Sequence, residues 1–328
     1  MTERPKTYDY VAEDLGKVRD LISRSLHSDI ELLNDTNSSI LDHPGKMMRP
    51  VLALLAAKAC SGGELSEDSY SYAAAAELLH NATLLHDDVA DNSSSRRGRP
   101  TVMKLLGGNA AVLLGDYWLV RAMEKILSGK RRRDDAMSVF SKTLSDLAQG
   151  EMLQLQKSIS GDLTEEEYFR VIYCKTASLF EASAVTGAYS VEAPEEYVEA
   201  VRAYAVNLGL AFQIKDDIFD YQEGADIGKP VGHDLLEQKI TLPLLCALEE
   251  ADEEGKRHIR NMVSKAADHP GNIGEIVAFV KAHDGVAKAA SRLEEFVDKA
   301  VAALSVLPPG PYRSTLETHA RYAAERKF

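Results

Sequence analysis

Two groups of three aspartates recur along the chain with the same spacing, and each ends an apolar run with helical periodicity. They are Asp87, Asp88 and Asp91 in the first triad and Asp216, Asp217 and Asp220 in the second. Residues three and four apart lie on one face of a helix, so each triad brings its carboxylates together. Like charges at this spacing destabilise an exposed helix by about 0.2–0.5 kcal/mol per pair, which favours a bound cation.

Oxygen-only ligands suit magnesium better than zinc. A single acidic triad is more often a solvated helix end, but two triads with identical spacing are hard to explain as surface decoration. Facing each other across a bundle, they would hold several magnesium ions and, through them, a diphosphate. The aspartates therefore predict a metal-assisted reaction of a diphosphate substrate.

Basic residues surround the first triad in sequence or by helical spacing. They are Arg96 and Arg97 in the loop after it, Lys46 and Arg49 at a predicted helix start, and His80 two turns before Asp87. Arginine forks and helix N-termini both bind phosphate oxygens well. Alone, each of these residues is more often a surface or core residue, but together they outline a second anionic pocket.

A further polar set accompanies the second triad. It consists of Lys175 and Thr176 inside an apolar helix, Gln213 one turn before Asp217, and Lys229 and Lys239 on either side of a glycine-bearing loop. Positive charge at these places would neutralise a departing diphosphate.

The composition excludes some functions. Acidic residues outnumber basic ones, 51 to 38, and the net charge of −13 argues against a general nucleic-acid binder. No apolar run approaches the roughly 18 residues of a membrane span, and the first residues do not form a signal peptide. Cys60, Cys174 and Cys246 lack metal-ligand spacing and are interpreted as buried free thiols. We expect a cytoplasmic protein without a transmembrane segment.

Helical periodicity fills nearly the whole chain and predicts an all-α fold, with one helical-bundle domain over residues 1–328. We expect one helix over 8–35 and another over 101–128, the latter interrupted at Gly107-Gly108. Ser66 should start a helix, and Thr164 with Glu167 should form a capping box.

The motifs resemble those of the all-trans polyprenyl diphosphate synthases. The resemblance runs from about Gly45 to Pro243 and depends on the two acidic triads and the basic loop 96–101, in the family's order. It is greatest for the long-chain, octaprenyl-type members. It implies an isoprenoid synthase fold with a central cavity, and a homodimer.

The resemblance also implies roles for the residues above. The six aspartates would bind three magnesium ions per site, bridging to an allylic diphosphate. Arg96, Lys175, Lys229 and Lys239 would contact that diphosphate, while Lys46, Arg49, His80 and Arg97 would hold isopentenyl diphosphate. Thr176 and Gln213 would line the reacting centre. The allylic primer would be geranyl, farnesyl or geranylgeranyl diphosphate.

Small residues before the first triad indicate a long product. Short-chain family members carry aromatic residues where this chain has Ala82 or Thr83, although an ideal helix places Thr83 nearer the aspartates. The alanines at 73–76 suit a tunnel wall or close helix packing equally well. Tyr117, Trp118 and Met123 are candidates for the tunnel floor.

Other functions remain open at this point. The chain could make the shorter farnesyl or geranylgeranyl diphosphate. A terpene cyclase would share the ionisation step but needs no isopentenyl pocket, and a noncatalytic partner subunit need not keep its aspartates. A structural bundle that binds metal incidentally does not explain the two basic sets.

Overall fold

The structure, a computed structural model, describes residues 6–43, 45–96, 98–222 and 232–325. Helices occupy nearly all of these ranges. Strand within them is limited to the two-residue segments β1 (Ser95–Arg96) and β2 (Arg99–Pro100), which pair antiparallel. The predicted all-α class is confirmed.

Sixteen α-helices lie in the described ranges. In chain order they are α1 (Ala12–Ser25), α2 (Glu31–Leu41), α3 (Met48–Ser61), α4 (Glu67–Ala90), α5 (Val102–Leu106), α6 (Gly108–Leu127), α7 (Arg133–Ser160), α8 (Glu165–Ile172), α9 (Ser178–Ser190), α10 (Glu195–Phe219), α11 (His233–Leu236), α12 (Leu242–Glu249), α13 (Glu253–Ser264), α14 (Asn272–Ala282), α15 (Gly285–Ala303) and α16 (Pro311–Glu325). Short 3₁₀ segments span Lys6–Val11 and Leu304–Val306, and a π-helical turn spans Tyr173–Ala177.

The predicted helix starts are confirmed. The Ser66 side chain accepts the backbone N–H of Ser69 at 3.3 Å at the start of α4. At the start of α8, Thr164 accepts the N–H of Glu167 at 3.3 Å, and the Glu167 carboxylate accepts the N–H of Thr164 at 3.0 Å. Local side-chain chemistry therefore sets both boundaries.

The helix predicted over 8–35 is wrong, because α1 ends at Ser25 and α2 begins at Glu31. Between them the Asn34 side-chain amide donates to the Ser28 carbonyl at 2.7 Å and accepts the Ser28 N–H at 2.9 Å. Asn37 donates to the Leu26 carbonyl at 2.9 Å. Side-chain amides thus replace the helical hydrogen bonds. The interruption expected within 101–128 is confirmed at Gly107, whose φ of +88° separates α5 from α6.

The helices pack around one core, in which α3, α4, α9 and α10 are central. Every residue of α9 except Glu181 is buried, and the alanines at 73–76 in α4 are fully buried. At Gly187 an added Cβ would lie 2.2 Å from the Ala53 carbonyl oxygen, so α3 and α9 approach at backbone distance. Small residues therefore bring these helices close together, and the fold is a single all-α domain.

Two other predictions concern the molecule as a whole. None of the described helices has both the length and the apolar character that crossing a membrane requires. The three cysteines are unpaired, as expected. Cys174 and Cys246 are buried, but Cys60 is only half-buried, because it lies near the end of α3.

Candidate active site

Both acidic triads lie at the C-terminal ends of central helices. Asp87 and Asp88 are in the last turn of α4, with Asp91 following it, and Asp216 and Asp217 are in the last turn of α10, with Asp220 following it. The C-terminal end of a helix carries partial negative charge, so carboxylates there are electrostatically unfavourable. A bound cation would offset that unfavourable interaction.

Burial and neighbouring charges both act on Asp87. Burial, followed by the charges of Glu151 and Asp91, raises the pKa of Asp87 to about 6, while Lys175 and Arg96 act in the opposite direction. Glu151 lies on α7 and Lys175 in the π-helical turn, so both elements face the first triad.

The short hairpin returns Arg96 to the first triad. Its Nε and Nη2 atoms each lie 2.9 Å from Asp88 Oδ1, and Asp88 is only 5% exposed. On the other side of the hairpin, Arg99 Nη1 lies 2.8 Å from His43 Nδ1. The basic loop therefore connects the triad with the segment just before α3. Arg97, predicted to bind isopentenyl diphosphate, lies outside the described residues.

Asp217 of the second triad is held by two donors. The Tyr168 hydroxyl donates to Asp217 Oδ2 at 2.7 Å, and Gln213 Nε2 donates to Oδ1 at 2.9 Å. The Thr176 hydroxyl in turn donates to Gln213 Oε1 at 2.7 Å. Burial and then the charge of Asp234 raise the pKa of Asp217, while these hydrogen bonds lower it. Burial also raises the pKa of Tyr168 well above its ordinary value, so its hydroxyl remains a donor.

Asp220 stabilises the start of α11, in addition to any role in metal binding. Its carboxylate accepts the backbone N–H groups of His233 at 2.9 Å and Asp234 at 3.2 Å. It therefore fixes the start of α11, where the chain returns after residues 223–231. A carboxylate has about four lone-pair sites, so these two bonds do not by themselves exclude a metal. Lys229 lies in that segment, outside the described residues.

The two described lysines of the second polar set lie close to acidic groups. Lys175 Nζ is 2.7 Å from Glu151 Oε1 and donates to Gln154 Oε1 at 2.9 Å. Lys239 pairs with Glu237. Burial lowers the pKa of Lys239, but the opposing effects of Glu237, Asp234 and Asp91 are larger. The net pKa therefore lies above the ordinary value. Both lysines therefore lie within electrostatic reach of the first triad.

A cavity of about 170 Å³ joins these groups. Its polar lining includes Gln154, Lys175, Gln213, Asp217, Asp234 and Lys239. The structure thus brings together side chains from α7, the π-helical turn, α10, α11 and the segment after α11. Lys175 and Gln213, predicted from separate parts of the sequence, border the same space as Asp217.

The second basic set lies on neighbouring helices. Lys46 is exposed just before α3, and Arg49 is half-buried in its first turn, with its guanidinium 5.3 Å from the centre of the Phe180 ring. His80 is half-buried on α4, which packs against α3. Ala82 is 1% exposed, while Thr83 is half-buried and donates its hydroxyl to the His80 carbonyl at 2.8 Å.

Sequence reasoning missed four residues of this site. They are Glu151 and Gln154 on α7, Tyr168 on α8 and Asp234 on α11. Glu151 and Gln154 are three apart and share a helix face, but nothing in their spacing distinguishes them from solvated polar residues. Tyr168 stands seven residues before Lys175, and that helical spacing was the only available signal.

The carboxylates fit magnesium that arrives with its substrate. Among the described residues, no group of three or more His, Cys, Asp or Glu side chains could by itself hold a metal ion. Magnesium commonly takes one or two carboxylates and completes its coordination with water and substrate phosphates. Burial and the nearby charges of Glu151 and Asp91 raise the pKa of Asp87, and a bound cation would stabilise its charged form.

Comparisons with known proteins agree with this geometry. The polyprenyl synthetase family model matches residues 30–280. Octaprenyl diphosphate synthase of Escherichia coli is 38% identical over 326 residues, covering 98% of each chain. A decaprenyl diphosphate synthase structure from Rhodobacter capsulatus superposes with a TM-score of 0.92, at 34% identity over 99% of this chain and 100% of that one. A polyprenyl synthase from Caulobacter crescentus, solved with calcium and isoprenyl diphosphate, has a TM-score of 0.89, at 31% identity over 98% of both chains. The chain therefore belongs to the polyprenyl synthetase family.

Proposed function

We propose that this prenyltransferase condenses isopentenyl diphosphate with an allylic diphosphate to make a long-chain all-trans polyprenyl diphosphate. The primer would be geranyl, farnesyl or geranylgeranyl diphosphate. The observation that carries the proposal is one cavity bordered by Asp217 of the second triad together with Lys175, Gln213 and Lys239. The same two lysines interact electrostatically with Asp87 and Asp91 of the first triad. Relatives named for long-chain products, similar over nearly the full chain, support the product class.

The aspartates and lysines would act on the allylic diphosphate. We assign magnesium binding, at three ions per site, to the six aspartates. Magnesium would supply Lewis-acid stabilisation of the leaving diphosphate. Arg96, Lys175, Lys229 and Lys239 would bind its oxygens and compensate charge as the carbon–oxygen bond breaks. Lys175, which contacts Glu151 and Gln154, borders the cavity in which that diphosphate would bind.

The remaining residues would place the second substrate. Lys46, Arg49, His80 and Arg97 would hold the diphosphate of isopentenyl diphosphate, so that its double bond attacks the allylic cation. A carbon–carbon bond forms, and a proton passes to the departed diphosphate. Thr176 and Gln213, fixed to each other at 2.7 Å, would line the reacting centre. The surrounding buried helices would exclude water that could otherwise quench the cation.

We propose that the growing chain extends along α4, away from the triads. From Ala73 to Asp87 the helix provides about 21 Å of wall at 1.5 Å per residue. Ala82 and Thr83 would leave this path open, and Tyr117, Trp118 and Met123 of α6 are the proposed floor. Trp118 is anchored for such a role, because its indole N–H donates to Asn37 Oδ1 at 2.8 Å.

We further propose that the chain is one domain over residues 1–328 that works as a homodimer in the cytoplasm. Large exposed apolar side chains on consecutive helices support the dimer. They are Leu105 and Leu106 on α5, Val112, Leu113, Val120 and Leu127 on α6, and Met152, Leu155 and Ile159 on α7. The unpaired thiols are consistent with a reducing compartment.

A single assay tests the activity. The purified protein is incubated with farnesyl diphosphate, labelled isopentenyl diphosphate and magnesium, and the dephosphorylated products are separated by chromatography. We expect long-chain prenols, with loss of product on chelation or in Asp87→Asn, and no loss in the exposed control Asp134→Asn.

Other outcomes identify the alternatives. Hydrocarbon made without consumption of isopentenyl diphosphate would show a cyclase. Products of farnesyl or geranylgeranyl length would show a short-chain synthase. Turnover that requires the addition of a different protein would show that this chain is a noncatalytic partner subunit.

A further inference from the structure

Three contacts define an antiparallel register between the segment from α8 to α9 and helix α10. At Gly209 an added Cβ would lie 2.5 Å from Ala177 Cα, so the two backbones touch there. Thr176 bonds to Gln213, and Tyr168 bonds to Asp217. The contacting residues run from Ala177 back to Tyr168 in the first segment and from Gly209 forward to Asp217 in α10, so the two segments are antiparallel.

The π-helical turn allows the last two contacts to exist together. Tyr168 and Thr176 are eight residues apart, and in a regular α-helix that spacing rotates the second side chain by about 80° from the first. A π-turn takes up an extra residue, which returns the two side chains toward a common face. Tyr168 and Thr176 thereby both reach α10, where Gln213 and Asp217 are one turn apart.

We propose that Tyr168 is a positioning residue for the second triad, whose hydroxyl holds the Asp217 carboxylate in the orientation that binds metal. This inference rests on the proposed function, because it assigns a metal to Asp217. The relevant geometry is the pair of hydrogen bonds to opposite carboxylate oxygens, from Tyr168 to Oδ2 and from Gln213 to Oδ1. Together they fix the plane of the carboxylate.

Burial makes the Tyr168 hydroxyl important for this orientation. Tyr168 is 2% exposed and Asp217 is 4% exposed, so water has little access to replace a lost donor. Each carboxylate oxygen uses one lone pair for its donor and keeps another for a metal. Partners that orient a metal ligand in this way commonly change metal affinity about 10–100-fold when they are removed.

The test compares Tyr168→Phe with Tyr204→Phe. Tyr204 is a matched control because it is also fully buried, and its hydroxyl donates to the Leu316 carbonyl at 2.8 Å in the core. Magnesium binding is measured by calorimetry in the presence of inorganic pyrophosphate, without turnover. We expect about a 10–100-fold loss of magnesium affinity in Tyr168→Phe and none in Tyr204→Phe.

Kinetics and a double-mutant cycle add independent readouts. In Tyr168→Phe we expect kcat to fall and to recover at high magnesium, with KM for isopentenyl diphosphate unchanged. If Tyr168 acts through Asp217, Tyr168→Phe should not reduce magnesium affinity further in an Asp217→Asn background.

Unchanged magnesium affinity in Tyr168→Phe would overturn the inference and leave the proposed function intact. A loss of affinity in Tyr168→Phe that is no larger than in Tyr204→Phe would also overturn it. If the unmodified chain neither binds magnesium with pyrophosphate nor makes prenols, the proposed function itself fails, and the inference with it.

Discussion

At the scale of single residues, Ala82 provides the most direct test of product length. It is 1% exposed on α4, so tyrosine there must enter either the proposed tunnel or the packed core. In the tunnel, the ring would shorten the product with little change in stability. In the core, it would cost about 1–3 kcal/mol through overpacking. We expect shorter prenols by chromatography, together with a nearly unchanged urea midpoint.

The control for Ala82→Tyr is Thr83→Ser, which keeps the hydroxyl that bonds to the His80 carbonyl. Its products should match those of the unmodified chain. A folded Ala82→Tyr protein that still makes full-length product would remove Ala82 from the tunnel wall.

His319 on α16 predicts a pH dependence of stability. Burial lowers its pKa to about 4, and its Nδ1 has no hydrogen-bond partner among the described residues. Because the folded-state pKa lies below the unfolded value, near 6.5, protons bind the unfolded chain more tightly. The neutral ring is fully compatible with folding above about pH 6.5, and stability falls as the pH drops toward 4. The loss due to this group should be roughly 2–3 kcal/mol at pH 4.5.

Urea unfolding at pH 7.5 and pH 4.5 measures this contribution. Replacing His319 by Gln removes the titrating ring, so the variant should lose roughly 2–3 kcal/mol less stability than the unmodified chain over that interval. The exposed His269→Gln serves as the control and should retain the full loss. Equal pH dependence in all three proteins would contradict the assignment.

At the scale of elements, the contact between α10 and the π-helical turn predicts a coupled loss of stability and activity. In Gly209→Ala the new methyl group would lie 2.5 Å from Ala177 Cα, and backbone must move to accommodate it. We expect about 1–3 kcal/mol of destabilisation, and a reduced kcat because Thr176 and Gln213 separate.

The matched control is Gly16→Ala in α1, where an added Cβ has no described heavy atom within 4 Å apart from its chain neighbours and the adjacent backbone of its own helix. A helix interior gains about 0.5–1 kcal/mol from this substitution. Thermal unfolding and steady-state kinetics measure both variants. A Gly209→Ala protein with normal kcat would show that the close approach does not position the site.

Element boundaries show which structural features could be predicted from the sequence. The helix starts at Ser66 and Thr164 follow from side chains within three residues, and local chemistry was sufficient to predict them. The break between α1 and α2 depends on the Asn34 and Asn37 side chains, which were equally compatible with a continuing helix. Apolar periodicity alone does not show whether the chain continues as a helix or is interrupted by side-chain hydrogen bonds to the backbone.

The candidate site likewise contains residues that the sequence indicates and residues that it does not. The aspartates and the basic residues could be proposed as site residues from their type and spacing. The bonds of Tyr168 to Asp217 and of Lys175 to Glu151 join residues 49 and 24 positions apart in the chain. They depend on the register between helices and on the π-helical turn, which helical periodicity does not reveal. Partners that orient catalytic groups were therefore the residues missed.

At the scale of the whole molecule, the buried centre and the exposed apolar surface have different consequences. The central helices are surrounded by other helices, which would help to exclude water from the site. By contrast, α5, α6 and α7 present apolar side chains to solvent. A large exposed apolar patch is typical of an interface, and α6 is also the helix proposed to floor the tunnel. Dimerisation would therefore support the helix that forms the proposed tunnel floor and limits product length.

The dimer is tested by placing charge in this surface. Leu113 on α6 is 69% exposed and Met152 on α7 is 66% exposed, so glutamate at both positions disturbs little within one chain. In a dimer the two charges would be buried, and burial of unpaired charge strongly opposes association. By sedimentation equilibrium, we expect a dimer for the unmodified chain and for the control Val306→Glu, whose valine is 42% exposed in the 3₁₀ segment Leu304–Val306. The double variant should be a folded monomer with altered product lengths. If it still sediments as a dimer, the interface lies elsewhere, and a monomeric unmodified chain would exclude the homodimer.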